Sequence, residues 1–231
     1  AALWLGFILM SDGKSNDFFT FPKWVNILRP AVPVLLVGGA VYATLIVWLG
    51  FSPRTTDVGY APKQPVPYSH ALHVGQLGMD CMYCHTTVNE AAHAAVPPTQ
   101  TCMNCHSMIR ANSEKLIPVR ESYATGMPVE WIRVHDLPDY AYFNHSAHVR
   151  RGVGCVSCHG RIDTMEVVYQ AEPLSMGWCL ECHRNPERHL RPLDTVTQMD
   201  WMPEEDQEVL GARLAEMYDI NPPEDCNSCH R

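Results

Sequence analysis

The chain has 231 residues, 46% of them hydrophobic and only 18% charged, with 18 Pro and 14 Gly as loop-rich punctuation. Its net charge of −8 argues against nucleic acid as a partner. The length allows one or two domains.

Residues 1–30 read as a cytoplasmic or interfacial segment. Ala1–Met10 is almost wholly apolar (AALWLGFILM) but too short to cross a bilayer as a helix. Ser11–Asp17 is polar and turn-like, and Phe18, Phe19, Phe21 and Trp24 follow as interfacial aromatics. Residues 31–51 (AVPVLLVGGAVYATLIVWLGF) contain no charge and suit one transmembrane helix, with Pro33 expected in its first turn. Lys14, Lys23 and Arg29 precede this span and only Arg54 follows closely, which places the N-terminus inside and the remainder outside. Residues 52–67 carry Pro53, Pro62, Pro65 and Pro67 and read as a semi-rigid spacer.

From there one pentapeptide recurs five times: Cys81-Met-Tyr-Cys84-His85, Cys102-Met-Asn-Cys105-His106, Cys155-Val-Ser-Cys158-His159, Cys179-Leu-Glu-Cys182-His183 and Cys226-Asn-Ser-Cys229-His230. These are numbered motifs 1 to 5. Disulfides or zinc knuckles would explain ten cysteines, but neither requires a His after every second one. Cys-x-x-Cys-His is the attachment site of c-type haem: two thioethers to the vinyl groups, and the imidazole as proximal iron ligand. The expected cofactors are five haem c groups, each with iron, bound through all ten cysteines. Such haems are attached outside the cytoplasm, in agreement with the charge asymmetry around the span.

Five haems on about 150 residues leave too little chain for an ordinary side-chain core. The expected fold is therefore mainly α and irregular: one N-terminal transmembrane helix, then a loop-rich periplasmic domain with the haems as its core. Tyr68-Ser-His70-Ala-Leu-His73 and Phe143-Asn-His145-Ser-Ala-His148 stand before motifs 1 and 3 as an internal repeat. Residues 68–142 then read as a first dihaem module and connector, and 143–200 as a second module. Residues 201–231 hold a helix and the fifth site. The helix is expected over Pro203–Tyr218, with Val209, Leu210, Leu214, Met217 and Tyr218 as its apolar face.

The sixth iron ligand decides between a closed electron carrier and an open catalyst. Beyond His85, His106, His159, His183 and His230, seven histidines remain. His70, His73, His145 and His148 lead, because residues three apart share a helical face and can serve two haems; His135 completes the set. His93 is an alternative, His189 reads as a haem-propionate partner, and Met165 and Met176 are competing ligands. Arg110, Arg150, Arg151, Arg161 and Arg184 are expected to neutralise propionates. No separate acid–base constellation is present, so no catalytic residue is assigned.

The paired His-x-x-His and Cys-x-x-Cys-His elements resemble the small multihaem cytochromes of the class III type. The membrane helix, the five motifs and the segments Tyr140–His148 and Cys179–Pro186 are together similar to the pentahaem subunit of bacterial alternative complex III. That resemblance implies an electron-transfer subunit in the inner membrane. Its partners would be integral-membrane quinone-binding subunits, a periplasmic iron–sulfur subunit, and a monohaem cytochrome c subunit or soluble acceptor. Electrons from quinol would pass to a periplasmic acceptor or an oxidase. A self-sufficient membrane-anchored quinol dehydrogenase feeding a periplasmic reductase is the alternative. A nitrite reductase is disfavoured, because such enzymes typically replace one motif His with Lys.

Overall fold

The computed structural model describes residues 21–50 and 57–230. The expectations for residues 1–20, for Phe51 and for the first part of the spacer, including Pro53 and Arg54, lie outside the described residues. The chain divides into two compact units, 1–51 and 52–231.

The first unit is one helix, α1 (Val25–Gly50). It begins six residues before the expected start, so Pro30 and Pro33 both lie inside it rather than in its first turn. The carbonyls of Asn26 and Arg29 thereby lose their i+4 amide donors, a loss that apolar spanning helices tolerate. None of its most apolar stretch is buried against the chain. Its 26 residues cover about 39 Å, enough for the roughly 30 Å hydrocarbon layer. Length and composition of this kind fit a membrane anchor or a signal sequence.

The second unit contains short helices joined by long irregular segments. They are a π-helical turn (Ala71–Gln76), α2 (Cys81–Cys84), α3 (Thr99–His106), α4 (Ile117–Thr125), α5 (His145–Val149), α6 (Val156–His159), α7 (Met176–Arg184), α8 (Gln207–Met217) and α9 (Cys226–Cys229). Among the described residues there is no strand, only the isolated bridges Ala141 to His230 and Val153 to Leu190. Among the described residues nine apolar side chains are buried, and Leu190, Leu210 and Leu214 form a cluster. That is far less than a unit of this length needs, as expected of a domain whose core is its prosthetic groups.

Most cysteine motifs sit on helices of one or two turns started by a polar cap. Asp80 accepts from the Met82 amide, Ser175 from Trp178 and Asp225 from Ser228. The spacer reading needs revision. Gly59 donates to the Gln170 carbonyl and Gln170 returns a bond to Tyr60. The Gln64 side chain makes paired bonds with the Ile132 backbone, and Val66 is buried. From residue 57 onward this stretch is therefore part of the domain surface, not a free arm.

The helix before motif 5 starts at Gln207, four residues later than expected, because Asp206 caps it through the Glu208 and Val209 amides. Its buried line is Leu210, Gly211 and Leu214, whereas Val209 and Met217 are exposed. The true stripe runs i, i+1, i+4; Val209 falls off it by about a quarter turn, whereas Met217 lies below Leu210 on the same face and is exposed as the last residue of the helix. Gly211 lies against the Pro186–His189 turn, where an added Cβ would stand 2.0 Å from the Glu187 carbonyl oxygen. Gly211→Ala should therefore lift α8 from this turn and cost about 1–3 kcal/mol. A thermal melt of the purified haem-loaded protein should fall by several degrees; an unchanged Tm would show that the contact is looser in solution.

Candidate haem-binding centres

The two His-pair repeats fold alike. Tyr68 stacks on His73 (centroids 4.4 Å) and meets His70 edge-on (4.8 Å). Phe143 does the same to His148 (4.6 Å) and His145 (4.7 Å). His145 and His148 lie on α5, while His70 caps the π-turn and His73 sits inside it. Each repeat leans on the other module. Ala71 N donates to Met165 O, just after motif 3, while His145 N and Ser146 N donate to Ala92 O and Ala91 O, just after motif 1.

A histidine that binds metal through Nε2 usually donates Nδ1–H to a carbonyl, which fixes its tautomer and its ring. Seven of the twelve expected or alternative histidines are positioned this way. Nδ1 lies 2.9 Å from Ala95 O for His85, 2.8 Å from Ile109 O for His106, 2.7 Å from Pro223 O for His183 and 3.1 Å from Tyr140 O for His230. It lies 2.8 Å from Ser69 O for His73, from Ala92 O for His145 and from Asn144 O for His148. Among the described residues, His159 Nδ1, His70 Nδ1 and His135 Nε2 are buried without a hydrogen-bond partner. Burial pushes His70 down to about 4 and His159 down to about 3, helped by neighbouring imidazoles. Burial also lowers His135 and His148. All are thus held neutral, the form that ligates metal.

Two imidazoles on opposite sides of one iron, each about 2 Å from it, have ring centroids about 6 Å apart. His73 and His106 are 6.2 Å apart, His148 and His183 6.1 Å, and His145 and His159 6.5 Å. The residues present therefore fit axial ligation of haem. His135 lies 4.5 Å from His159, edge-on and too close for a shared iron. His230 faces Tyr140 at 5.9 Å. His93 is exposed and His189 is half-buried beside Glu172 and Glu181. Met165 is buried below Gly160 and Met176 is exposed.

Three of the arginines expected at propionates have protein partners. Arg161 pairs with Asp163, Arg184 pairs with Glu224, and Arg151 donates to the Tyr218 carbonyl. These contacts are local or close in space, and sequence spacing does not distinguish them from free charges.

None of the ten cysteines, all of them among the described residues, is in a disulfide. They form a row that departs from chain order. Cys102 neighbours Cys84, and Cys81 lies within hydrogen-bonding reach of Cys155. Cys158 neighbours Cys179 and Cys182, and Cys179 neighbours Cys229. Burial and these neighbours push the Cys158 thiol up to about 12. Independent contacts give the same order. Asn104 of motif 2 donates to Tyr83 of motif 1 at 3.4 Å. Val196 O accepts from the Cys155 amide and Thr197 O lies 3.7 Å from Cys81 Sγ. His183 and Arg184 of motif 4 bond to Pro223 and Glu224, just before motif 5. The row runs 2–1–3–4–5.

Comparison with known proteins agrees with this geometry. Residues 141–231 match the family model for cytochrome c7 and related cytochrome c. The chain carries a multihaem cytochrome c domain. It is also 29% identical, over 174 residues, to the protein named menaquinone reductase, multiheme cytochrome c subunit, of Nitratidesulfovibrio vulgaris. That alignment covers 66% of this chain and 80% of the relative. The domain match implies covalent haem c.

Sequence reading missed Arg191 and Thr197. Neither lies near a motif in sequence, and the only local signal was the cap residue Asp80, which accepts from Thr197 Oγ1 at 2.7 Å. For the pairs above, His148→Ala should leave one haem high-spin while the others stay low-spin, read by electron paramagnetic resonance and optical spectra. An all-low-spin spectrum with unchanged potentials would remove His148 from the ligands.

Proposed function

We propose that this chain is a membrane-anchored pentahaem electron relay in a quinone-linked respiratory assembly. The observation that carries the reading is the unbroken row of attachment cysteines, 2–1–3–4–5, with ligand-oriented histidines beside it. Haem bound there would supply reversible one-electron exchange at each site. The chain's own residues fix the attachment points, orient the axial imidazoles and pack neighbouring sites against one another.

In this reading the haem c groups number five. The attachment residues are Cys81, Cys84, Cys102, Cys105, Cys155, Cys158, Cys179, Cys182, Cys226 and Cys229. The proximal ligands are His85, His106, His159, His183 and His230. His70, His73, His135, His145 and His148 are the distal set, with His73 opposite His106 and His148 opposite His183. Helix α1 anchors the domain on the outer face of the inner membrane. The similarity to the pentahaem subunit of alternative complex III supports quinone-binding membrane subunits and a periplasmic iron–sulfur subunit as partners. A monohaem cytochrome c subunit or soluble acceptor would take the electrons.

The name of the Nitratidesulfovibrio relative, a menaquinone reductase subunit, favours a second direction of flow, towards quinone. The same row serves either direction, and the potentials of its end members decide which.

The test is gentle detergent extraction, purification through this chain, and subunit identification by mass. Co-purification with integral-membrane and large periplasmic subunits, with about five haems per chain by haemochrome assay, is the expected result. Recovery alone with quinol-oxidising activity would favour a self-sufficient dehydrogenase instead.

A further inference from the structure

Among the described residues, Arg191 is a buried cation with no ion-pair partner. It is only 8% exposed, and its Nε lacks a partner among the described residues. None of the five ion pairs includes it. Its NH1 donates to the Gln198 carbonyl at 2.9 Å, and the guanidinium lies over the Trp201 ring at 5.0 Å. A charge taken from water and left so costs several kcal/mol unless an anion compensates it.

Its place gives the compensation. Arg191 N donates to Gly152 O, and Gly154 stands so close that an added Cβ would be 2.3 Å from Arg191 Nε. The next residue is Cys155. From Arg191 the chain runs through the Leu193–Thr195 turn to Val196 and Thr197, which contact Cys155 and Cys81 respectively. The side chain is thus fixed beside the contact between motifs 1 and 3, where the row passes from one module to the other.

We propose that Arg191 is the positioning and potential-setting residue of this junction. Its fixed positive charge compensates the anionic haem at motif 3 and favours the reduced form there. The argument rests on the reading that haem is attached at these motifs. A ferric bis-imidazole haem with two ionised propionates carries net negative charge, and reduction adds one more. A cation held in a dry site stabilises the more negative state more strongly. The row would then hold electrons at its centre, where the two halves exchange them. Guanidinium suits the place because it stays charged when buried and stacks on an aromatic face.

The test uses the full chain matured with haem and kept with its membrane partners. Haem content is assayed first in the wild type, and failure there would remove the haem reading itself. Arg191→Gln and Arg191→Met, a neutral side chain of similar reach, are then compared with Arg191→Lys by redox titration of the haem bands. Both neutral variants should keep full haem content and low-spin spectra. In them one potential should fall by about 59 mV, a tenfold change in the reduced-to-oxidised ratio. The lysine variant should recover at least half of that shift. Unchanged potentials at full haem content would overturn the proposal. So would an equal shift in the lysine variant, which would show a packing effect rather than charge. Loss of haem from both neutral variants would overturn it too, since the residue would then serve maturation.

Discussion

An imidazole that presents Nε2 to a metal is oriented by what holds its other nitrogen, and at seven of its histidines this chain uses backbone carbonyls. The acceptors for His85, His106, His183 and His230 belong to Ala95, Ile109, Pro223 and Tyr140, residues on irregular segments rather than on helices. A helix or sheet consumes its own carbonyls, so a domain that orients many rings this way needs loops with carbonyls to spare. The scarcity of regular structure follows from that demand. So does the small side-chain core, which is concentrated in the one corner where α8 closes on the Leu190 segment.

The attachment sites were legible because the chemistry is local: two thiols and an imidazole within five residues. The His-x-x-His repeats were legible for the same reason, and Tyr68 and Phe143 hold their rings in matching poses. The order of sites was not legible. Motifs 1 and 3 meet through Val196 and Thr197, and nothing in a run of Leu-Asp-Thr-Val-Thr signals a partner 117 residues away at Asp80. The apolar face of α8 was drawn too wide, because Val209 and Met217 are as apolar as Leu210 and Leu214, and only packing shows that Leu210, Gly211 and Leu214 form the buried line. Proline counting made residues 52–67 read as a semi-rigid spacer, whereas in the described part, from residue 57, one glutamine, Gln64, ties the stretch to the Ile132 backbone with two hydrogen bonds.

The repeat also has a consequence for packing. Each His-pair turn rests on the loop that follows the other module's first motif, so neither half has a complete surface alone. Gly75 is needed for this, since an added Cβ would stand 2.3 Å from the Asp163 carbonyl oxygen. The two halves read in sequence as separate modules are, in space, one interlocked unit extended at one end by motif 5.

The segment from Leu190 to Trp201 is made late. A chain emerging from its N-terminus exposes motifs 1 to 4 before Val196 and Thr197 exist to bring Cys81 and Cys155 together. Until then motifs 1 and 3 lack the backbone that holds them side by side. A chain interrupted before Leu190 would keep four of the five motifs and still lose the strap that joins Cys81 to Cys155.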